Sequence, residues 1–165
     1  NVNEKFDLIV CSEVIEHLYQ PTPVLQTLKN LLKPNGTLIV TVPNGFGPRE
    51  LLITKPVQFI SKNMPFVSSI LSGIKNAMGY KGTTLQSSAS DLTHVQFFSK
   101  SALVNLVGRN NLQLVDFGVS NFVEGVFPFS LISRKSYKFQ AVDCKVADAL
   151  PHFMSSGFMS AWKLK

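Results

Sequence analysis

The chain has 165 residues, a formal net charge of +6, and 45% hydrophobic against 16% charged residues. These values fit one globular domain and exclude a disordered tail, a coiled coil and a collagen-like chain. No apolar run reaches the roughly 18 residues of a membrane span. The two cysteines, Cys11 and Cys144, are too few for a disulfide framework, and their spacing is not that of a zinc site. The positive charge fits nucleic acid, anionic lipid or an acidic substrate equally well.

The first regular pattern is a strand, a helix and a second strand. Residues 6–11 form a continuous apolar run, which predicts a strand covered on both faces. Thr22 is a candidate helix cap with Pro23 at the first helical position, and leucines at helical spacing extend this helix over residues 22–33. A Lys-Pro-Asn-Gly stop separates it from a second buried strand at residues 37–42. Because the links are short, the two strands should be parallel.

Residues 46–93 do not continue this strand–helix pattern, because they contain several prolines, glycines, serines and lysines. Within them, the spacing of Phe66, Ile70 and Ile74 predicts one amphipathic helix. Regular structure then resumes with a helix that Ser99 can cap. We expect a helix, a strand, a helix and a last strand over residues 99–108, 112–119, 141–155 and 158–164. The sequence therefore predicts an open α/β sheet with a large insertion after its second strand.

Three motifs stand out, FDLIVCSEVIEHL, PTPVLQTLKNLLKPNGTLIVTVPN and THVQFFSKSALVNLV. Together they resemble the C-terminal half of a class I S-adenosylmethionine-dependent methyltransferase, in the type 11/type 23 group that includes the ubiquinone-biosynthesis O-methyltransferases. The resemblance implies a Rossmann-like α/β fold in which the strand at residues 6–11 is the fourth of seven and the last strand is antiparallel. Residues 1–165 would then be the C-terminal part of the catalytic domain, with residues 46–93 as an insertion or lid after the fifth strand.

The same resemblance places the cofactor S-adenosylmethionine at the end of the first strand, with Ser12 making a backbone contact and Glu13 beside it. The glycine-rich loop and the ribose-binding acid of the family would lie upstream of Asn1, so we expect this chain alone not to bind the cofactor detectably. The Gly45-Phe46-Gly47 sequence follows the wrong strand and is interpreted as an ordinary turn.

Glu13, Glu16 and His17 have the spacing i, i+3 and i+4, which would place all three on one face of a helix. One interpretation makes His17 a general base for a substrate hydroxyl, oriented by Glu16. A second, implied by the resemblance, is a divalent metal site formed by Glu13, Glu16, His17 and His94 that holds Mg, Mn or Co. In the third, the Glu-His pair only closes a helix end. The sequence does not decide between these three interpretations. Elsewhere, we expect Cys11 to pack as a small apolar residue and His152 to be structural.

The resemblance implies methyl transfer to a small-molecule or lipid-like acceptor, most simply O-methylation by in-line displacement. Two other functions stay open. His94 and the basic charge favour a metal-assisted RNA 2′-O-methyltransferase, and a catalytically silent relative would use the same fold as a binding module.

Partners are predicted from charge and from the family. The region of residues 46–93 commonly covers the substrate in the family, which makes Phe59, Phe66 and Ile70 candidates to line a pocket. Its basic residues would steer an anionic acceptor or make a peripheral contact with anionic lipid. No basic–aromatic motif supports nucleic acid binding. We also expect a cytoplasmic location. The unpaired edge of the first strand should either form a homodimer or be covered by a segment upstream of Asn1.

Overall fold

A computed structural model of the chain describes residues 4–48, 51, 55–56, 59, 63, 95–123, 129–133 and 135–165. The amphipathic helix predicted around Phe66, Ile70 and Ile74 lies outside these residues, as does most of the 46–93 insertion. Among the helices of the described part, none is long and apolar enough to cross a membrane.

The described strands form one four-stranded sheet in the order β1-β2-β4-β3. β1 (Phe6–Ser12) and β2 (Leu32–Pro43) are parallel, which confirms the expected strand–helix–strand unit. β4 (Gly157–Leu164) is antiparallel both to β2 and to β3 (Leu112–Val119). This arrangement confirms the Rossmann-like α/β class and the antiparallel last strand.

Helices connect the strands. The helices whose bounds are described include α1 (Thr22–Asn30), α2 (Lys100–Gly108), α3 (Phe129–Ser133) and α4 (Tyr137–Ala149), with short 3-10 helices at Ile15–His17 and His152–Met154. Ser99 caps α2 as predicted, because its side-chain oxygen accepts a hydrogen bond from the Ala102 N–H at 3.2 Å.

The predicted limits of the first helix were wrong. Pro21, not Thr22, is the N-cap residue, and the helix ends at Asn30 rather than at residue 33. Leu32 instead opens β2 opposite Phe6, and the Lys-Pro-Asn-Gly segment after it lies where the register shifts. A residue that precedes proline avoids helical backbone angles, so the chain leaves the helix early and pairs with β1.

β1 is not covered on both faces, contrary to the prediction. Phe6, Leu8 and Val10 share one face and are 37%, 55% and 58% exposed, whereas Cys11 on the other face is 5% exposed. Successive strand residues point to opposite faces, so an apolar run alone does not show that both faces have a covering layer. A homodimer through the edge of β1 stays a prediction.

The core lies between the sheet and its helices, and a buried tryptophan and serine in it satisfy each other's polar atoms. Trp162 and Leu38 are nearly fully buried. The indole N–H of Trp162 donates to the Ser160 hydroxyl at 2.8 Å, which donates to the Val40 carbonyl at 3.0 Å. Because buried polar groups are costly without partners, this chain of bonds allows Ser160 to occupy the core.

The turn after β2 requires its two glycines. A Cβ atom on Gly45 would lie 2.5 Å from Cβ of Phe97, and one on Gly47 would collide with the carbonyl oxygen of Ser155. The Gly45-Phe46-Gly47 sequence thus permits close packing of the turn against two later segments.

We therefore expect Gly47→Ala to lower the free energy of unfolding by about 1–3 kcal/mol, because the added methyl group overpacks the turn. Gly108→Ala is the matched control, since a Cβ there meets nothing within 4 Å. The control should be neutral or stabilising by about 0.4–1 kcal/mol. Urea denaturation measures both, and equal stability of the two variants would contradict the prediction.

Candidate functional site

The carboxyl ends of the two parallel strands meet at one polar edge. Ser12 pairs with Thr41 in the register of β1 and β2. Their hydroxyl oxygens are 2.8 Å apart, and the Thr41 hydroxyl also donates to Oε1 of Glu13 at 3.4 Å. The Glu13 N–H donates to the Thr41 carbonyl at 3.1 Å. Thr41 is a site residue that the sequence analysis missed, although the expected parallel register would have placed it opposite Ser12.

Glu13 leaves the strand in a left-handed conformation, with φ of 53°. Only Ile15–His17 then form a single 3-10 turn. The helix face that Glu13, Glu16 and His17 were predicted to share therefore does not form. A non-glycine residue in this region is uncommon, and here the strand-end contacts with Thr41 hold Glu13 in it.

The Glu16 side chain is buried, with 1% exposure. Among the described residues, neither of its carboxylate oxygens has a hydrogen-bond partner. The pKa of Glu16 is raised to about 7, chiefly by burial and in smaller part by the negative charge of Glu13, while its own backbone N–H acts in the opposite direction. Nε2 of His17 lies 3.6 Å from Oε1 of Glu16, which is close but too long for a hydrogen bond. The structure thus brings Glu16 and His17 together.

A later segment anchors this turn through its backbone. The carbonyl oxygen of Glu16 accepts from the N–H groups of Val95 and Gln96, each at 2.9 Å, and Nε2 of Gln96 donates to the Leu18 carbonyl at 2.7 Å. The sequence analysis missed Gln96, because no local pattern links residues so far apart in the chain.

The predicted metal site is not assembled by the part of the chain that the structure describes. His94 lies outside that part, and within it no group of three His, Cys, Asp or Glu side chains comes together. Glu16 and His17 provide only two adjacent ligands, fewer than the three protein ligands of typical catalytic metal sites. The predicted metal site, which needs His94, therefore stays a prediction.

Cys11 and His152 were predicted to have packing or structural roles, and the structure shows one of them buried and the other exposed. Cys11 is 5% exposed, and burial, followed by the negative charge of Glu16, raises the pKa of its thiol. It is an inert apolar residue, as predicted. The exposed His152 contacts other side chains, since its Nδ1 is 3.0 Å from Nζ of Lys100 and its ring centroid is 5.4 Å from that of Phe117.

The fold and this edge define a Rossmann-like α/β protein with polar groups at the carboxyl ends of parallel strands. Residues 2–116 match the family model described as a methyltransferase domain. The chain belongs to this methyltransferase domain family.

The curated relatives of this chain are also methyltransferases. The ubiquinone biosynthesis O-methyltransferase of Glaesserella parasuis serovar 5 is 39% identical over 62 residues, which cover 38% of this chain and 26% of that protein. The enzyme of that name from Pasteurella multocida is 33% identical over 63 residues, covering 38% of this chain and 26% of that protein. The match thus spans about a quarter of the length of these relatives.

Solved structures share the fold at low sequence identity. A Thermotoga maritima structure described as an S-adenosylmethionine-dependent methyltransferase, possible histamine N-methyltransferase, has a TM-score of 0.55 and 14% identity, covering 100% of this chain and 60% of that one. PKMT2 of Rickettsia typhi has a TM-score of 0.51 and 16% identity, covering 98% of this chain and 36% of that one.

The buried carboxyl of Glu16 predicts a pH-dependent stability. The pKa is about 7 in the folded protein against an ordinary 4.5, so the folded state binds the proton more tightly than the unfolded chain. Between these two pH values stability falls as pH rises, by up to about 3 kcal/mol, and above pH 7 this group adds no further change.

Glu16→Gln should remove this dependence, because the amide has a similar shape and does not titrate. The measurement is the difference in unfolding free energy between the variant and the original protein at pH 5 and at pH 8, from urea denaturation. The variant should gain relative stability on going to pH 8. A difference that is the same at both pH values would refute the burial of a titrating Glu16.

Proposed function

We propose that the whole protein to which this chain belongs transfers a methyl group from S-adenosylmethionine to a hydroxyl of a small-molecule or lipid-like acceptor. One observation carries the proposal. The region that matches the methyltransferase domain includes both parallel strands, and their shared carboxyl edge presents the exposed Ser12 beside Glu13. Open α/β sheets bind their ligands beyond this edge. The name of the partial relatives, O-methyltransferase, supports a hydroxyl as the acceptor group.

Ser12 and Glu13 fit a ligand of this kind. S-adenosylmethionine supplies a methyl group on a positively charged sulfonium. The Glu13 carboxylate provides negative charge at the edge, and the Thr41 hydroxyl donates to it at 3.4 Å. The bond between the Glu13 N–H and the Thr41 carbonyl fixes the backbone from which these groups project. A cationic ligand with polar groups therefore meets oriented acceptors at this edge.

His17 acts as the general base. It removes the proton of the acceptor hydroxyl, so that the oxygen attacks the methyl carbon as the bond between carbon and sulfur breaks. The carboxylate of Glu16, 3.6 Å from Nε2, stabilises the imidazolium that results. A positioned base adds about 10²–10⁴-fold to such a reaction. This scheme assigns no step to a metal, and the His94 variant described below separates it from the metal alternative.

The first test is activity. The purified whole protein should bind S-adenosylmethionine in calorimetry and convert it to S-adenosylhomocysteine when a hydroxyl-bearing acceptor from a panel of phenols and lipid-like alcohols is added. A whole protein that neither binds nor consumes the cofactor would show that the proposal is wrong.

The second test is the role of His17. His17→Ala should lower turnover by about 10²–10⁴-fold, while the affinity for S-adenosylmethionine stays within about twofold, because the histidine acts on the acceptor proton only. Chelators should have no effect.

His94→Ala separates this mechanism from the metal alternative, since His94 has no part in the base scheme. It should retain activity. Loss of activity in His94→Ala and in chelator, with recovery on adding Mn or Co, would replace the base mechanism by a metal-assisted one.

A further inference from the structure

Two lysine side chains lie over phenylalanine rings near the end of the sheet at which β2 and β3 terminate. The ammonium of Lys55 is 4.9 Å from the ring centroid of Phe46 and 5.2 Å from that of Phe97. The ammonium of Lys100 is 4.4 Å from the ring centroid of Phe117. These are cation–π contacts, worth about 0.5–1 kcal/mol each at exposed sites. Both lysines thus hold a positive charge directly against apolar surface.

Asn44 ties these two lysine–ring pairs to one frame. It is 1% exposed, and its side-chain N–H groups donate to the carbonyl oxygens of His152, Phe153 and Ser155 at 3.4, 2.9 and 2.8 Å. Its side-chain oxygen accepts from the Phe46 N–H at 3.1 Å. The turn that carries Phe46 and the segment that carries His152 are therefore fixed relative to each other by one buried amide.

The charge of the two lysines has no acidic partner in the described part of the chain. The acid–base contacts described there include Lys33 with Asp7 and His17 beside Glu16, and neither contact involves Lys55 or Lys100. Lys100 directs one donor to Nδ1 of His152. Since an ammonium has three donors, others are left for an anion. A carboxylate or phosphate would gain charge-assisted hydrogen bonds at these lysines.

We infer that this surface, the lysine–ring site, binds acceptor molecules that carry an anionic group on an aromatic or similarly flat apolar body. It consists of Phe46, Lys55, Phe97, Lys100, Phe117 and His152. Phe46 is 52% exposed and offers the apolar contact. β2 continues past Thr41 to its last residue, Pro43, and then into Asn44, so the turn that carries Phe46 follows directly on the edge proposed for methyl transfer. The identification of the ligand as the methyl acceptor rests on the proposed function.

The test compares two probes of equal shape, naphthalene-2-carboxylate and its neutral carboxamide, in calorimetric titrations of the whole protein without S-adenosylmethionine. The carboxylate should bind about tenfold more tightly than the amide, a difference of about 1.4 kcal/mol. Lys100→Met and Lys55→Met keep the apolar stem and lose the charge, so each should remove most of this preference. Lys100→Arg should retain it.

Lys163→Met is the matched control. Lys163 is exposed on β4 opposite Gln113, at the other end of the sheet, and its loss changes the net charge equally. It should leave the preference unchanged. Equal binding of the two probes, no binding of either, or the same loss in Lys163→Met as in Lys100→Met would overturn the inference.

The experiments can refute the lysine–ring site without refuting the methyltransferase function, and the reverse. Methyl transfer to neutral acceptors that is insensitive to Lys100→Met, with no preference for the carboxylate probe, refutes the lysine–ring site alone. A charge-dependent preference in a protein that neither binds nor consumes S-adenosylmethionine supports the site and refutes the methyltransferase proposal.

Discussion

The parallel pairing of β1 with β2 is the constraint on which the rest of the site depends. Its register sets Ser12 opposite Thr41 and lets the Thr41 carbonyl end the strand by accepting the Glu13 N–H. Glu13 then turns the chain with a positive φ, which carries Ile15 and Glu16 into the core. A register shift of one residue would exchange the two faces of β1 and separate these groups. The polar edge is therefore a consequence of how two apolar strands pair.

Asn44 fixes the chain beyond the end of β2 through its side-chain hydrogen bonds. The buried side-chain amide of Asn44 satisfies carbonyl groups of the segment before β4 and the Phe46 N–H of the following turn. Gly45 and Gly47 allow this turn to approach Phe97 and Ser155 closely. The turn and the segment before β4 are then held by packing and hydrogen bonds together, which is the rigidity that a binding surface needs.

The sequence predicted those features that are determined locally. β3 spans Leu112–Val119 as expected, and Ser99 caps its helix, because periodicity and capping depend on neighbouring residues. The end of α1 was wrong because pairing with β1 decides where β2 begins. The role of Gln96 could not be predicted, since its bond to the Leu18 carbonyl joins residues 78 apart. Glu16 and His17 were identified correctly as neighbours, but the helix face expected to include Glu13 was not.

The burial of Glu16 bears on which interpretation of the Glu-His pair is favoured. At this turn the backbone carbonyl of Glu16 holds Val95 and Gln96 by accepting their N–H groups. Any residue at this position would supply such a carbonyl. Its carboxylate oxygens have no hydrogen-bond partner in the described residues, so ionising this side chain works against folding. An apolar residue of similar volume would serve the core better. Within the described part of the chain this carboxyl group has no structural partner, and it lies 3.6 Å from Nε2 of His17, so its burial supports the base role proposed for that imidazole.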